Sequence, residues 1–171
     1  MLTAVPAQAG GCAFADVPPA SALGIQRAER ATRCLVNRER RKHGMHALRL
    51  NTKLKKSSNW QAGDMAANAY FGHQRAGGPG FAVRVTRFGY ASHASGYSLG
   101  ENLAWATGGG ASPRAIVRMW MNSTGHRANI LRRRFKEQAV SAVAINGNQV
   151  GGAYAGAGPL VIYVNQFGTR Y

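Results

Sequence analysis

Acidic residues are scarce in this sequence. Its 171 residues include 6 Asp and Glu against 22 Lys and Arg, which gives a formal net charge of +16 at pH 7. Such a balance favours association with anions such as nucleic acid, anionic lipid or acidic wall polymers, but it does not determine a fold. Aromatic residues do not alternate with the basic ones, so no stacking platform for nucleic acid and no specific nucleic-acid partner are expected.

Long apolar runs are missing as well. No segment reaches the roughly 18 apolar residues that a membrane helix needs, so we expect no transmembrane segment. Residues 1–9 end in Ala7-Gln8-Ala9, which resembles a signal-peptidase site, although no basic region precedes it. We interpret residues 1–9 as the remnant of a secretion signal, with a plain irregular terminus as the alternative. The expected localisation is secreted or extracellular.

Cysteine is limited to Cys12 and Cys34. One lies in a Pro-rich segment and the other on a predicted helix. In an oxidising compartment the two could form one disulfide, which would fit export, and two free thiols are the alternative.

Several catalytic signatures are absent too. The sequence contains no HExxH, no paired CxxC, no Gly-Lys-Ser phosphate loop and no Gly-x-Ser-x-Gly nucleophile elbow. These absences argue against the enzyme classes that those motifs define.

The first three quarters of the chain are predicted to be mainly helical. After an irregular arm over residues 10–20, one domain is expected over residues 21–171. Helical spacing of apolar residues and N-capping side chains at Ser21, Asn51 and Ser112 place the helices. The predicted helices run from Ser21 to about His43, from Asn51 to about Tyr70, from Phe81 to Phe88, from Ser112 to about Met121, and briefly from His126.

The last quarter of the chain changes to the pattern of β-strands. Strands are predicted over Ala139–Ile145, Gly151–Ala157 and Leu160–Phe167, with Gly151–Ala157 in the middle and a hairpin turn at Asn146-Gly147. The segment 101–105 could be a strand or a turn. Helices followed by an antiparallel meander indicate an α+β fold with helices packed on a small sheet.

Three polar side chains are candidates for chemistry. His73 and His126 each lie at a predicted helix boundary, where the backbone geometry is fixed, and Glu101 lies in an otherwise apolar segment. A cluster of these residue types would suit Zn²⁺ or another divalent cation. It would equally suit general acid–base work. A hydrogen-bonded network that orders the loops is a third reading, and the sequence separations do not decide among them.

Three segments that contain these residues resemble a known family. They are Tyr70-Phe71-Gly72-His73, Gly100-Glu101-Asn102-Leu103-Ala104, and the run from Trp120 to Leu131 that includes Ser123-Thr124-Gly125-His126-Arg127. Together they resemble the bacterial branch of the CAP superfamily, which comprises cysteine-rich secretory, antigen 5 and pathogenesis-related type 1 proteins and is also called the SCP-like extracellular domain. The resemblance covers about residues 30–168.

The resemblance implies a specific fold and site. It implies a CAP-type α-β-α sandwich, which we expect to hold a three-stranded antiparallel sheet flanked by helices. It also implies a cleft in which His73, Glu101 and His126 match residues that hold a divalent metal, often zinc, with Asn102, Ser123 and Arg127 lining the ligand cleft. Where the fuller family pattern has a second glutamate, this sequence has Ser123, and that departure weakens a four-residue site.

Two functions from different classes follow. The preferred one is a secreted, monomeric binding domain that takes a divalent cation and an extracellular ligand, such as a lipid, a sterol or an anionic envelope polymer. The alternative is a metal-dependent extracellular hydrolase with Glu101 as general base. Members of one fold differ in activity, so the resemblance alone does not choose between the two.

Overall fold

The N-terminal arm is fastened to the first helix. The computed structural model describes residues 11–171, so the predicted signal remnant at residues 1–9 lies outside the described residues. Residues 11–20 contain no helix or strand. Cys12 and Cys34 form a disulfide with their Cα atoms 5.7 Å apart, which confirms the first of the two readings of these cysteines. The disulfide joins the arm to α1 (Ala22–Lys42).

The three long helices begin where capping side chains predict. Ser21 accepts a hydrogen bond from the Gly24 amide at the start of α1, and Asn51 does the same for Lys53 and Leu54 in α2 (Thr52–Ala67). Ser112 caps α4 (Pro113–Asn122), whose first residue is a proline. Each cap satisfies amides that have no partner within the helix. Two shorter helices are α3 (Phe81–Arg87) and α5 (Thr124–Ile130).

The sheet has four strands of mixed direction, which corrects the expected three-stranded antiparallel sheet. The strands are β1 (Arg49–Leu50), β2 (Tyr97–Thr107), β3 (Glu137–Asn146) and β4 (Pro159–Arg170), in the order β1-β3-β4-β2. β1 pairs in parallel with β3, whereas β4 is antiparallel to both β3 and β2. A two-residue strand has too little periodicity to be found from sequence.

The predicted middle strand over Gly151–Ala157 is wrong. This stretch follows a short helix, α6 (Gly147–Val150), and forms a 3₁₀ turn over Gly152–Tyr154. Gly151 and Gly152 have φ angles of 72° and 54°, a left-handed conformation that is incompatible with an extended strand. The predicted two-residue hairpin is also absent, because Asn146 instead accepts a hydrogen bond from the Asn148 amide at the start of α6. β3 and β4 are the two inner strands of the sheet.

Apolar side chains of the sheet alternate between two helical layers. Tyr163 and Phe167 pack with Trp120 in the core on the side of α1, α4 and α5. Ile162 and Val164 face the other way and pack with Met65 of α2. Alternation at every second residue is what a strand covered on both faces requires. The result is a sheet between two helical layers, as the resemblance implies.

Candidate functional site

The candidate site is built on β2, an edge strand of the sheet. Successive residues of a strand point to opposite faces, so Glu101 and Asn102 project towards different layers. Glu101 bonds to α3 and to the loop after α2, whereas Asn102 bonds to α5. The adjacent pair therefore links both helical layers at one point of the edge strand.

Glu101 is buried and every oxygen of its carboxylate has a partner. Its side chain is 1% exposed. Oε1 lies 2.9 Å from Nδ1 of His73. Oε2 accepts hydrogen bonds from Nη2 of Arg84 at 2.6 Å and from Nε2 of Gln166 at 2.8 Å. The Arg84 guanidinium thus supplies the positive charge that a buried carboxylate requires.

His73 is held by its backbone and by one ring nitrogen. Gln61 donates to the Gly72 carbonyl at 2.7 Å, and Nη1 of Arg84 donates to the His73 carbonyl at 2.8 Å. A carboxylate only accepts hydrogen bonds, so Nδ1 of His73 carries the proton that is donated to Glu101. The His73 side chain is 55% exposed. Nε2 is consequently the nitrogen that can bind a metal ion or accept a hydrogen bond when the ring is neutral.

His126 approaches from the opposite layer. It is half-buried on α5, and its carbonyl accepts a hydrogen bond from Nδ2 of Asn102 at 2.9 Å. Burial lowers the pKa of His126 below its ordinary value, and the charge of nearby His73 lowers this pKa further. The two imidazoles therefore lie near enough for the charge of one to affect the pKa of the other, although they belong to different layers.

The free edge of β2 is covered at the site. Nε1 of Trp120 donates to the Leu103 carbonyl at 3.0 Å, and Nδ2 of Asn129 donates to the Glu101 carbonyl at 3.3 Å. Asn129 also donates to Oδ1 of Asn102 at 2.9 Å. A Cβ at Gly100 would lie 2.9 Å from Oδ1 of Asn129, so this close approach requires glycine. These contacts fix α5, and with it His126, against the edge.

The other predicted cleft residues differ in their roles. Asn102 is buried and structural, since both ends of its amide are bonded to α5. Ser123 is half-buried at the junction of α4 and α5, and Arg127 is exposed on α5. Within residues 11–171, no hydrogen bond joins the Ser123 hydroxyl to an imidazole. A preassembled serine–histidine pair is therefore not part of this site.

Comparison with known proteins decides the family. The model of the cysteine-rich secretory protein family, CAP, matches residues 34–164, which is most of the chain. The chain belongs to the CAP family. A relative from Bacillus subtilis, the uncharacterized protein YkwD, is 35% identical over 111 residues. That match covers 64% of this chain and 40% of YkwD, so this CAP domain spans less than half of that relative.

Solved structures support the same fold. An extracellular SCP-domain protein from Bacillus anthracis matches with a TM-score of 0.63 at 21% identity, over 87% of this chain and 44% of that one. A cysteine-rich secretory protein from Staphylococcus aureus gives 0.62 at 13% identity, over 86% and 40%. An outer surface protein from Borrelia burgdorferi gives 0.61 at 17% identity, over 81% and 90%. At these identities the likeness concerns the fold alone.

No helix in the part of the CAP chain that the structure describes is both long and apolar enough to cross a membrane.

A metal site formed directly by His73, Glu101 and His126 does not fit the geometry. Among residues 11–171, no three His, Cys, Asp or Glu side chains are grouped so as to hold a metal ion. Both carboxylate oxygens of Glu101 already have partners, since Oε1 contacts His73 and Oε2 contacts Gln166 and Arg84, whose guanidinium already balances the negative charge. The donor atoms that remain are those of the two imidazoles, which Zn²⁺ accepts as ligands.

Two partners of Glu101 were not singled out in the sequence. Arg84 lies 17 residues before Glu101 in the chain and Gln166 lies 65 residues after it. The available signal was the scarcity of acids, since a carboxylate in an apolar segment requires a buried cation somewhere in the fold. That argument demands a partner but does not identify which of the 22 Lys and Arg residues it is.

Proposed function

We propose that this chain is an extracellular CAP binding domain that uses His73 and His126 to hold a divalent cation, Zn²⁺ first, and that binds an extracellular ligand beside them. The ligand class is a lipid, a sterol or an anionic envelope polymer. The observation that supports this most is the pairing of His73 with Glu101 beside His126. Solved relatives described as extracellular and as an outer surface protein support the location.

In this proposal Glu101 orients the ring of His73, which binds the metal, and Glu101 does not itself bind the metal. A carboxylate that accepts the second ring N–H of a metal-binding histidine fixes the tautomer and the orientation of the ring. The 2.9 Å contact between Nδ1 of His73 and Oε1 of Glu101 is of that kind. The lowered pKa of His126 acts in the same direction, because only a neutral imidazole binds a metal.

Calorimetric titration with Zn²⁺ tests the cation part. We expect binding by the wild-type protein and at least a roughly tenfold loss of affinity in His73→Ala/His126→Ala, because two nitrogen ligands are removed. His43→Ala/His93→Ala is the matched control, since it removes two exposed imidazoles elsewhere. Equal affinities in the wild type and the His73/His126 variant would remove the metal from the proposal.

The hydrolase alternative makes a different demand on Glu101. A general base must be free to take a proton, and it must reach the proton directly or through one water molecule. Glu101 is 1% exposed and holds three donors, which weighs against that role. We expect peptide, ester and glycan substrate panels to show no turnover above a Glu101→Gln control with metal present. Turnover that is lost in Glu101→Gln would favour the hydrolase instead.

A further inference from the structure

A second candidate site lies in a basic pocket away from the two imidazoles. A pocket of about 370 Å³ opens between the turn after α1 and the segment that leads into β3. We call it the basic pocket, and its polar and aromatic lining consists of Arg40, His46, Arg49, Arg133, Phe135 and Lys136. None of His73, Glu101 and His126 contributes to it. The pocket and the proposed cation site therefore share none of their binding residues.

Arg40 is the buried charge of this pocket, and it has no carboxylate partner in the described part of the chain. The residue is 1% exposed. Its guanidinium donates only to backbone carbonyls, at 2.9 Å to His46, 2.7 Å to Ile130, 3.1 Å to Arg132 and 3.3 Å to Phe135. These four bonds engage all three nitrogens of the guanidinium, but their acceptors are neutral carbonyls and supply no formal negative charge. Consistently, burial lowers the pKa of Arg40.

No acidic side chain is left to neutralise the pocket. All six acidic side chains of the sequence lie among the described residues, and all are engaged elsewhere. Five of them form ion pairs with a basic side chain: Asp16 with Arg114, Glu29 with Lys55, Glu39 with Lys42, Glu101 with Arg84, and Glu137 with Arg170. The sixth, Asp64, accepts hydrogen bonds from Asn68 and Tyr70. The lining has no carboxylate of its own.

The rim of the basic pocket carries unoccupied donors. Arg49, Arg133 and Lys136 are exposed, and within residues 11–171 none of their side chains forms an ion pair or a hydrogen bond. Guanidinium groups present parallel N–H donors that match two oxygens of a phosphate, and ammonium adds a compact charge. Uncompensated cations around a concave surface focus a positive potential in it.

We propose that the basic pocket binds a phosphate-class oxyanion, with Arg49, Arg133 and Lys136 as direct contacts and Arg40 as the buried charge beneath them. The oxyanion supplies the negative charge that these four basic side chains lack within the protein. Met45 and Phe135 add apolar wall, so the phosphate group can belong to a larger molecule. The source is either a soluble phosphate compound or the headgroup of an anionic lipid.

Calorimetry with inorganic pyrophosphate at low ionic strength tests the pocket. We expect the wild type to bind, and Arg49→Gln/Arg133→Gln to bind at least roughly tenfold more weakly, because two charges at contact distance are lost. The control Arg87→Gln/Arg118→Gln removes the same charge from exposed positions on α3 and α4 and should change affinity by less than about twofold. No binding by the wild type, or equal losses in both variants, would overturn the proposal.

Two further measurements locate the site and identify the source. Amide chemical shifts should move over residues 44–49 and 133–136 on addition of pyrophosphate, whereas shifts confined to α5 would contradict the pocket. Sedimentation with phosphatidylcholine vesicles containing phosphatidic acid distinguishes the sources. Loss of vesicle binding in the pocket variant alone indicates a lipid headgroup. Vesicle binding that falls equally in both variants, with pyrophosphate still discriminating them, indicates a soluble phosphate.

Discussion

Glu101 and Arg84 form an ion pair whose side chains are 1% and 3% exposed. Because both charges are removed from water, burying the pair is unfavourable by itself. The attraction between the charges offsets this only when further hydrogen bonds satisfy the remaining atoms of both groups. Gln166 and His73 complete the shell of the carboxylate, and the His73 carbonyl binds the guanidinium. The same contacts that stabilise the pair therefore hold the His73 loop in place.

Removing Arg84 is expected to destabilise the fold and release His73. Arg84→Met leaves a buried carboxylate without its cation, for which we expect a loss of about 3–5 kcal/mol in the free energy of unfolding measured in urea. Arg87→Met on the same helix is exposed and should cost less than about 0.5 kcal/mol. If the two variants proved equally stable, the ion pair would not carry the structural role assigned to it.

The lowered pKa of His126 predicts the direction in which the stability of the fold changes with pH. Its folded pKa lies below the ordinary 6.5, so between these values the unfolded chain binds the extra proton. Stability should therefore fall as pH drops from above 6.5 through the folded pKa, and the penalty is complete below it. In metal-free protein, NMR of the histidine rings should place the His126 midpoint below 6.5, and His126→Gln should flatten the change in stability. A midpoint at or above that value would contradict the assignment.

At the residue scale the sequence predicted positions better than partners. His73 and Glu101 stand out in the sequence by their places at a helix boundary and in an apolar segment, and the family resemblance puts them in one cleft. Their side chains lie 2.9 Å apart in the structure. That His73 and His126 bind a metal directly remains a prediction, whereas the geometry does not fit Glu101 as a metal ligand. Arg84 was missed because side-chain pairing across two layers leaves no local pattern.

Elements were predictable where their ends carry capping chemistry. Ser21, Asn51 and Ser112 each cap a helix as the sequence predicts. The connection between β3 and β4 was not predictable in this way. Its glycines were read as part of a strand, but Gly151 and Gly152 adopt left-handed φ angles, and Ala153 donates to the Ala69 carbonyl at 2.9 Å. A tertiary contact determines that segment.

The arm depends on its disulfide. Cys12 and Cys34 close a loop with a sequence separation of 22, and Arg114 binds Asp16 of the arm at the surface. Cys12→Ala/Cys34→Ala should lower the free energy of unfolding by about 3 kcal/mol on the chain-entropy model, because the unfolded chain regains that loop's freedom. Urea unfolding of the variant and of the wild type, with and without reductant, measures the effect. The prediction would be refuted if Cys12 and Cys34 of the wild type could be alkylated without reductant and if reductant left its unfolding unchanged.

At the scale of the whole molecule, charge dominates association. With a net charge of +16 and every acidic side chain engaged, we expect the surface to attract polyanions without regard to their sequence. Surface attraction of this kind falls steeply with salt, because it depends on release of bound counterions. The basic pocket differs from the rest of the positively charged surface by its buried Arg40 and its concave shape.

Duplex DNA is a suitable probe of that positively charged surface. We expect binding at low ionic strength that weakens by orders of magnitude as salt approaches about 0.15 M, with no preference among sequences. Fluorescence anisotropy over a salt series, with two unrelated duplexes, measures both quantities. Tight binding that persists at the higher salt, or a preference for one duplex, would contradict the expectation of no specific nucleic-acid partner.

The covered edge of β2 has a consequence for behaviour at high concentration. Growth of fibrils and sheet-to-sheet polymers requires a long unpaired strand that can template another chain. On one flank β1 pairs with only Glu137 and Gln138 of β3, and further along β3 the side chains of Lys55 and Glu29 bond to the Val140 carbonyl and the Ala142 amide. On the other flank Trp120 and Asn129 already occupy the outward carbonyls of Leu103 and Glu101. Crowded solutions of this protein should therefore resist amyloid-like assembly for as long as α4 and α5 stay docked.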